Sequence, residues 1–176
     1  MDGDGIAART LPGIGGKGAY FVRGSGHDKH AAYTEDSDAY QEVVDRLTRK
    51  FAHAATAMPK PAFTLQDGAD VGLVTIGGCD AAVREAADKL RAQGIVVDVM
   101  RIRGFPFGEE VRDFLSKHER TFVIEQNRDA QLKSLITIEL HVAPDSLTSI
   151  LDYGGMPLTA KVVVDAVTSH LAGVPA

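Results

Sequence analysis

The chain has 176 residues, of which 44% are hydrophobic, and this is enough for one domain with a substantial core, or for one domain with an added arm. Its formal net charge of −5, with no clustered stripe of Lys and Arg, argues against a nucleic-acid partner. No apolar run approaches the ~18 residues of a membrane span and the N-terminus lacks a signal-peptide pattern, so we expect no membrane association and a cytoplasmic location.

The first 35 residues are rich in glycine and show no period, which predicts an irregular arm. The opening residues DGDGI look like the start of a calcium loop. With Asp2 as the first ligand, however, the glycine position falls on Ala7, and with Asp2 as the third, the closing glutamate position falls on Leu11. His27 and His30 have a spacing that a metal can use, but no third ligand is evident, so a loop ordered by hydrogen bonds is favoured.

A helix is predicted after the arm, with an N-cap at Asp36 or Ser37. Its apolar residues recur at helical spacing, at Tyr40, Val43, Val44, Leu47, Phe51 and Ala54. We therefore expect an arm and one amphipathic helix over residues 1–60, followed by a separate domain over residues 61–176.

Strands alternate with helices from residue 70 onward. The strands are read at VGLVTIG, VVDVMRI, TFVIEQ and LTSILD, and the helices at residues 82–90, 109–117, 129–140 and 157–171, the last one capped by Thr159. This alternation predicts an α/β fold with three layers, α/β/α, around a mostly parallel sheet.

Ligands of an open parallel sheet bind beyond the carboxyl ends of the strands. Arg101 and Arg103 alternate on one predicted strand, so both can clamp a phosphate or a partner's carboxylate, although a solvated or subunit-facing strand end is the favoured interpretation. Cys79 follows a strand and precedes a helix, as a nucleophile with a lowered pKa would. One alternative function is therefore a small cysteine-dependent hydrolase, but no histidine partner motif accompanies Cys79, and lone cysteines are mostly inert.

The segment EQNRDAQL places several hydrogen-bonding groups at the end of the third strand. Glu125, Gln126 and Asn127 end that strand, and Asp129 is placed to cap the next helix. Such groups can orient a ligand or fasten one domain to another. Since the sequence contains no paired carboxylates, no P-loop motif and no GxGxxG motif preceded by a strand, we expect no self-sufficient active site. An independent small-molecule binding module using the same sheet edge is the second alternative.

Several stretches, in order along the chain, resemble one family. They are DGDGI, RTLPG, GAYFVRGSGHD, VDRLTRKF, VIEQNRDAQL and YGGMPLTA. Together they resemble the C-terminal part of the alpha subunit of 2-oxoacid:ferredoxin oxidoreductases, especially the 2-oxoglutarate type. The resemblance implies a domain similar to the C-terminal domain of transketolase, and a chain that is part of a longer subunit.

The resemblance also implies a holoenzyme that oxidatively decarboxylates a 2-oxoacid to an acyl-CoA and reduces ferredoxin. Thiamine diphosphate, magnesium and an iron–sulfur cluster would belong to the beta subunit, coenzyme A would be a substrate, and the catalytic residues of the alpha subunit would lie upstream of Met1. Our interpretation is a scaffold and assembly domain, inactive alone, with Arg101 and Arg103 as candidate contacts of coenzyme A phosphates or the partner subunit. A single cysteine agrees with this, because it cannot hold a cluster alone.

The resemblance further implies which residues contact the upstream part of the alpha subunit or the beta subunit. They are Arg23, Gly24, Gly26, His27, Asp28, Glu125, Gln126, Asn127, Asp129 and Gln131. Lys29 and Ala130 depart from the pattern, since a glutamate and a glycine are expected there more often.

Overall fold

A computed structural model of the chain describes residues 3–11, 13–19 and 24–173. The chain divides into two compact units, residues 1–57 and residues 58–176. The predicted boundary at residue 60, and the upstream domain that the resemblance implies, stay predictions.

The first unit is built on one long helix, α1 (Ser37–Ala57). Asp36 Oδ1 accepts a hydrogen bond of 2.8 Å from the Ala39 N–H, so Asp36 is the N-cap. Ahead of α1, the described residues contain a 3-10 turn at Gly16–Gly18 and a single β-bridge between His27 and Tyr33. Along α1 the predicted apolar stripe exists, but only Val43 is buried.

Residues 3–6 of the opening DGDGI form a turn against α1, and Asp2, the calcium ligand considered above, lies outside the described residues. Asp4 Oδ1 accepts the Ile6 N–H at 2.9 Å, and the Gly5 carbonyl accepts a hydrogen bond from Arg46 Nη1 at 3.1 Å. Gly5 has a φ of +77°, and a Cβ there would lie 2.6 Å from both the Arg46 carbonyl oxygen and the Lys50 nitrogen. Glycine is therefore required at this close approach of two backbone segments.

The second unit contains five strands and four α helices among the described residues. In chain order they are β1 (Ala62–Thr64), β2 (Val71–Ile76), α2 (Asp80–Ala92), β3 (Val97–Ile102), α3 (Glu109–Lys117), β4 (Arg120–Glu125), α4 (Gln131–Leu140), β5 (Leu147–Leu151) and α5 (Ala160–Leu171). The strands form one sheet in the order β1-β3-β2-β4-β5. β2, β3, β4 and β5 run parallel, and β1 pairs antiparallel with β3 at the edge.

Two apolar clusters cover the two faces of this sheet. Along the central strands successive side chains alternate between the faces, so Leu73 packs towards α2 and α5 while Val74 packs towards α3 and α4. Both side chains are fully buried. The predicted three-layer α/β/α architecture with a mostly parallel sheet is confirmed.

Two details of the element prediction were wrong. β1 was missed, because three residues next to Pro61 are too short to show a period and are held by pairing, with Ala62 opposite Arg101. α4 begins at Gln131 rather than Asp129, because Ala130 has a left-handed φ of +49° that cannot continue a helix. Within the described residues, no helix has the length and apolar character to cross a membrane.

Candidate functional site

The three predicted segments lie together at the carboxyl edge of the sheet. They follow β2, β3 and β4, which run parallel and are adjacent in the order β3-β2-β4. α2 packs on one face of the sheet and α4 on the other, so the chain leaves β2 and β4 in opposite directions. This is a topological switch point, where open parallel sheets bind ligands.

A cleft of about 370 Å³ opens at this edge, on the α4 side of the sheet. Its apolar wall comes from Ile76, Ile102, Phe105, Phe107, Leu132 and Leu135, and Gly77 and Gly104 complete the backbone part of the lining. Ile76 and Phe105 remain 40% and 41% exposed, so part of this apolar wall is open to solvent. The rings of Phe105 and Phe107 meet edge to face, with centroids 5.3 Å apart.

Arg101 and Arg103 both line this cleft. Arg101 Nη1 lies 3.4 Å from Asp80 Oδ2, and Arg84 Nε lies 3.0 Å from the same oxygen, so Asp80 tethers Arg101. Arg103 follows the end of β3, and its Nη1 contacts the Lys60 carbonyl oxygen at 3.5 Å. The two residues therefore do not alternate on one strand as predicted, but the loop after β3 still brings both to the same cleft.

Cys79 does not have the environment of a nucleophile. Its side chain is 3% exposed, and its Sγ lies 4.0 Å from Gln126 Oε1. Burial raises the pKa of the thiol, against the opposing effects of Thr75 and Gln126, and the charges of Glu125 and Asp152 raise it further. The helix N-terminus therefore does not give Cys79 the lowered pKa that a nucleophile needs, and the hydrolase alternative loses its chemical basis.

Glu125 is 2% exposed, and its carboxylate is bonded inside the chain. Oε2 accepts hydrogen bonds from the Leu132 N–H at 2.7 Å and from Asn127 Nδ2 at 2.5 Å, and Oε1 accepts one from the Lys133 N–H at 3.2 Å. These are amides of the first turn of α4, so the last residue of β4 caps the helix. Asp129 pairs instead with Arg128, and its predicted role as the cap was wrong.

Two neighbouring side chains order the rest of this turn. Asn127 Oδ1 accepts the N–H groups of Asp129 at 3.0 Å and Gln131 at 3.2 Å. Gln126, which is exposed, donates from Nε2 to the Met156 carbonyl at 3.1 Å and so joins this turn to the loop after β5. Glu125 therefore acts within the fold, whereas Gln126, Asp129 and Gln131 are exposed, and the interface role of all of them stays a prediction.

The glycine-rich loop of the first unit is organised by Asp28. Its Oδ1 accepts the His30 N–H at 2.8 Å and the Ala32 N–H at 3.0 Å, and these bonds lower the pKa of the carboxyl group. His27 Nδ1 contacts the Asp28 carbonyl oxygen at 2.8 Å, and Gly26 accepts the Thr34 N–H at 3.2 Å. Hydrogen bonds thus order this loop. Gly24 is exposed, and Arg23 lies outside the described residues.

Within residues 3–11, 13–19 and 24–173, no three His, Cys, Asp or Glu side chains come close enough to hold a metal ion. The residues that the sequence did not single out are Phe105, Phe107, Leu132 and Leu135 of the cleft. The segment FPF close to Arg103 was the available signal, because it places two large aromatic side chains at the sheet edge where ligands of parallel sheets bind.

Comparisons with known proteins cover the part of the chain that forms this edge and its sheet. A family model described as pyruvate:ferredoxin oxidoreductase core domain II matches residues 69–163, which is more than half of the chain. The chain belongs to this family. The match covers β2, α2, β3, α3, β4, α4 and β5, and therefore the whole carboxyl edge described above.

A curated relative from Aeropyrum pernix is named 2-oxoacid:ferredoxin oxidoreductase 2, subunit alpha. It is 30% identical to this chain over 169 residues, which cover 93% of this chain and 26% of the relative. The predicted resemblance to alpha subunits of 2-oxoacid:ferredoxin oxidoreductases is thereby confirmed. The chain spans only about a quarter of the length of that relative.

Solved structures confirm the fold of this core domain II member. The 2-oxoglutarate:ferredoxin oxidoreductase of Magnetococcus marinus, solved with 2-oxoglutarate, coenzyme A and succinyl-CoA bound, matches with a TM-score of 0.80 and 23% identity. That match covers 96% of this chain and 29% of the other. A split-gene transketolase matches with a TM-score of 0.50 and 24% identity, over 63% of this chain and 41% of its own.

Proposed function

We propose that this chain is a scaffold and assembly domain of the alpha subunit of a 2-oxoacid:ferredoxin oxidoreductase, and that it is inactive alone. The observation that carries the proposal is the family match over residues 69–163, on a sheet edge whose polar side chains form hydrogen bonds mostly within the chain itself. The holoenzyme oxidises and decarboxylates a 2-oxoacid, forms an acyl-CoA and reduces ferredoxin. Its substrate is 2-oxoglutarate by the resemblance stated above.

The cofactors of the holoenzyme are expected on other parts of it. An iron–sulfur cluster does not fit this chain, because its one cysteine is buried and clusters need several thiolate ligands. For thiamine diphosphate and its magnesium, the location on another part of the holoenzyme follows from the resemblance stated above. We therefore assign thiamine diphosphate, magnesium and the cluster to the beta subunit, which would be the main partner.

Contact residues follow from the same proposal. The ordered glycine-rich loop would contact the upstream part of the alpha subunit or the beta subunit through Gly24, Gly26, His27 and Asp28. Arg23 is proposed as a further contact. Around α4 the exposed residues Gln126, Asp129 and Gln131 would do so, on a turn that Glu125 and Asn127 hold in shape. Ferredoxin would be reduced by the assembled enzyme and not by this chain.

Affinity purification tests the assembly role. The tagged chain is expected to recover a thiamine-binding iron–sulfur subunit from a lysate of its source, or this sequence within a longer polypeptide, as identified by mass spectrometry. Replacing Gln126, Asp129 and Gln131 together by alanine should reduce that recovery, while Arg91→Gln, on the far end of α2, should not. Recovery of the bare chain alone would contradict the proposal and favour an independent binding module.

Activity in the assembled enzyme tests the arginines. Arg101 and Arg103 carry two positive charges at the carboxyl edge, and we propose that they contact coenzyme A phosphates or the partner subunit. Changing both to alanine should raise the KM for coenzyme A or weaken assembly. An unchanged dependence on coenzyme A together with unchanged assembly would rule out these contacts.

A further inference from the structure

The cleft between the ends of β2 and β3 and the first turns of α4 combines an apolar wall with fixed positive charge. We propose that it is a binding site for a small amphipathic anion, in which an aromatic or branched apolar body lies on the phenylalanines and leucines and a carboxylate or phosphate meets Arg101 and Arg103. This site goes beyond the assembly role and does not depend on it.

Size and lining define the apolar part of the ligand. The volume of about 370 Å³ lies at the small end of the range of known ligand pockets, which begins at ~300 Å³. Phe105 and Phe107 meet edge to face, so their rings present two differently oriented apolar surfaces to the cleft. Leu132 is buried at the base of the opposite wall, next to Leu135. A single ring system or a branched aliphatic chain fits such a space.

The positive charges of the cleft define the anionic part of the ligand. Arg101 has a side chain that is 40% exposed, and Asp80 restrains its guanidinium from one side at 3.4 Å. Arg84 contacts the same Asp80 oxygen at 3.0 Å, so this one carboxylate is shared by two arginines and offsets the charge of Arg101 only in part. Within the part of the chain that the structure describes, the hydrogen bond of Arg103 is the 3.5 Å contact to the Lys60 carbonyl oxygen. Guanidinium N–H groups of both arginines therefore remain to bind an anion, and such groups bind carboxylates and phosphates through two parallel hydrogen bonds.

The place of the cleft in the sheet supports the assignment independently of the residues that line it. The cleft contains the last residue of β2 and the residue after it, Ile76 and Gly77, and it reaches α4, which follows β4. It therefore borders the crevice where the chain leaves the sheet on opposite faces. An apolar site with few convergent charged groups at this place is the usual form of a small-molecule site.

Titration of the full 176-residue chain with defined probes tests the site. The probes are 1-naphthoate, 1-naphthyl phosphate and the neutral 1-naphthalenemethanol, with acetate and inorganic phosphate as anions that lack the apolar body. We expect one of the two naphthyl anions to bind saturably and at least about tenfold more tightly than the alcohol, acetate or inorganic phosphate, because an ionic hydrogen bond contributes ~1.5 kcal/mol or more. The preference between the two naphthyl anions tells whether the headgroup is carboxylate or phosphate.

Location is tested by NMR and by variants. The backbone amide signals of Gly77 and Gly104 should shift on saturation with the preferred naphthyl anion. Arg101→Gln with Arg103→Gln should weaken its binding by about tenfold or more, and Phe105→Ala should weaken it too. Arg91→Gln, which removes one positive charge on α2, should leave it unchanged. Circular dichroism of each variant is the control for correct folding.

Three outcomes overturn the proposal. They are the absence of saturable binding of either naphthyl anion, equal binding of the neutral alcohol, and equal affinity in the Arg101→Gln/Arg103→Gln and Arg91→Gln variants. None of them bears on affinity purification of the beta subunit, so failure here is distinct from failure of the assembly role.

Discussion

Glu125 is the residue on which the carboxyl edge depends most. Its buried carboxylate accepts two backbone N–H groups of α4 and the amide of Asn127. A glutamine at this position keeps one oxygen acceptor, but its NH₂ group would face N–H donors, which cannot accept a hydrogen bond. Removing one partner from a buried charged network leaves the others unsatisfied and is strongly unfavourable.

We therefore expect Glu125→Gln to lower the free energy of unfolding by roughly 2–3 kcal/mol, as measured by urea denaturation. Glu139→Gln is the matched control, because Glu139 is exposed on the same helix and should change stability little. Equal stability of the two variants would mean that the carboxylate does not hold α4 to the end of β4.

Ala130 is the second residue with a clear expectation. It has a left-handed φ of +49° immediately before α4, where a side chain is strained and glycine is not. Ala130→Gly should therefore raise the free energy of unfolding by about 0.5–1 kcal/mol, while Ala81→Gly in ordinary helical conformation on α2 should lower it by a similar amount. A loss of stability in Ala130→Gly, seen as a lower urea midpoint, would contradict the strain.

At the scale of elements, β2 and α3 are in unusually close contact. A Cβ on Gly72 would lie 2.8 Å from Phe114 Cε1 and 3.1 Å from the His118 ring, both of which are buried. Gly72→Ala must therefore push α3 away from the sheet, and overpacking of this kind costs about 1–3 kcal/mol in unfolding free energy. Gly78→Ala, whose Cβ would be 3.8 Å from Gln126 Oε1, should be tolerated in the same denaturation assay.

A buried polar cluster joins β3 to α3 and to the chain before β2, at the end of the sheet opposite the cleft. Asp98 accepts hydrogen bonds from Lys117 Nζ at 2.8 Å and from the Gln66 N–H at 2.7 Å, and it contacts His118 Nε2 at 3.0 Å. Burial works to raise the pKa of Asp98, but these three hydrogen bonds and the Lys117 charge outweigh it, and the pKa lies below its ordinary value. The ionised carboxylate is therefore the form that the fold favours.

Stability should depend on pH through this cluster. Because the pKa of Asp98 is lower in the folded than in the unfolded chain, its contribution is complete above the unfolded value of about 4 and is lost as the pH falls through the folded value. Asp98→Asn should thus be less stable than the parent at pH 7, and the difference should shrink in acid. A difference that stays constant from pH 7 to pH 2, measured by thermal denaturation, would show that the carboxylate charge is not the cause.

At the scale of the whole molecule, the second unit carries its own core. Residues 58–176 contain the complete sheet and apolar clusters on both of its faces. We therefore expect residues 58–176 alone to unfold in one cooperative transition, followed by circular dichroism, and to keep the Gly77 and Gly104 amide signals of the full chain. A broad, non-cooperative transition would mean that this core depends on the first 57 residues.

How far the sequence predicts this molecule depends on the range of each interaction. The buried strands follow from a local pattern, because a strand that is buried on both faces has a continuous run of apolar residues. The start of α1 does too, because Asp36 accepts a hydrogen bond from an amide only three residues away. β1 and the start of α4 do not, since the first depends on pairing with β3 and the second on a carboxylate at the end of β4. Arg101 and Arg103 could be found as charges on the edge, but the wall contributed by Leu132 and Leu135 required the folded chain.

The capping of α4 from the preceding strand has a consequence for mutational scanning of this family. A scan would score Glu125 and Asn127 as intolerant, in a segment rich in groups that can bind ligands, and the profile would look like that of an active site. Their hydrogen bonds to the turn and to the helix start are enough to produce that intolerance through protein abundance alone. Substitutions at exposed Gln126 and Gln131 would separate the two causes, since a loss of activity without a loss of abundance there can come only from what this edge binds.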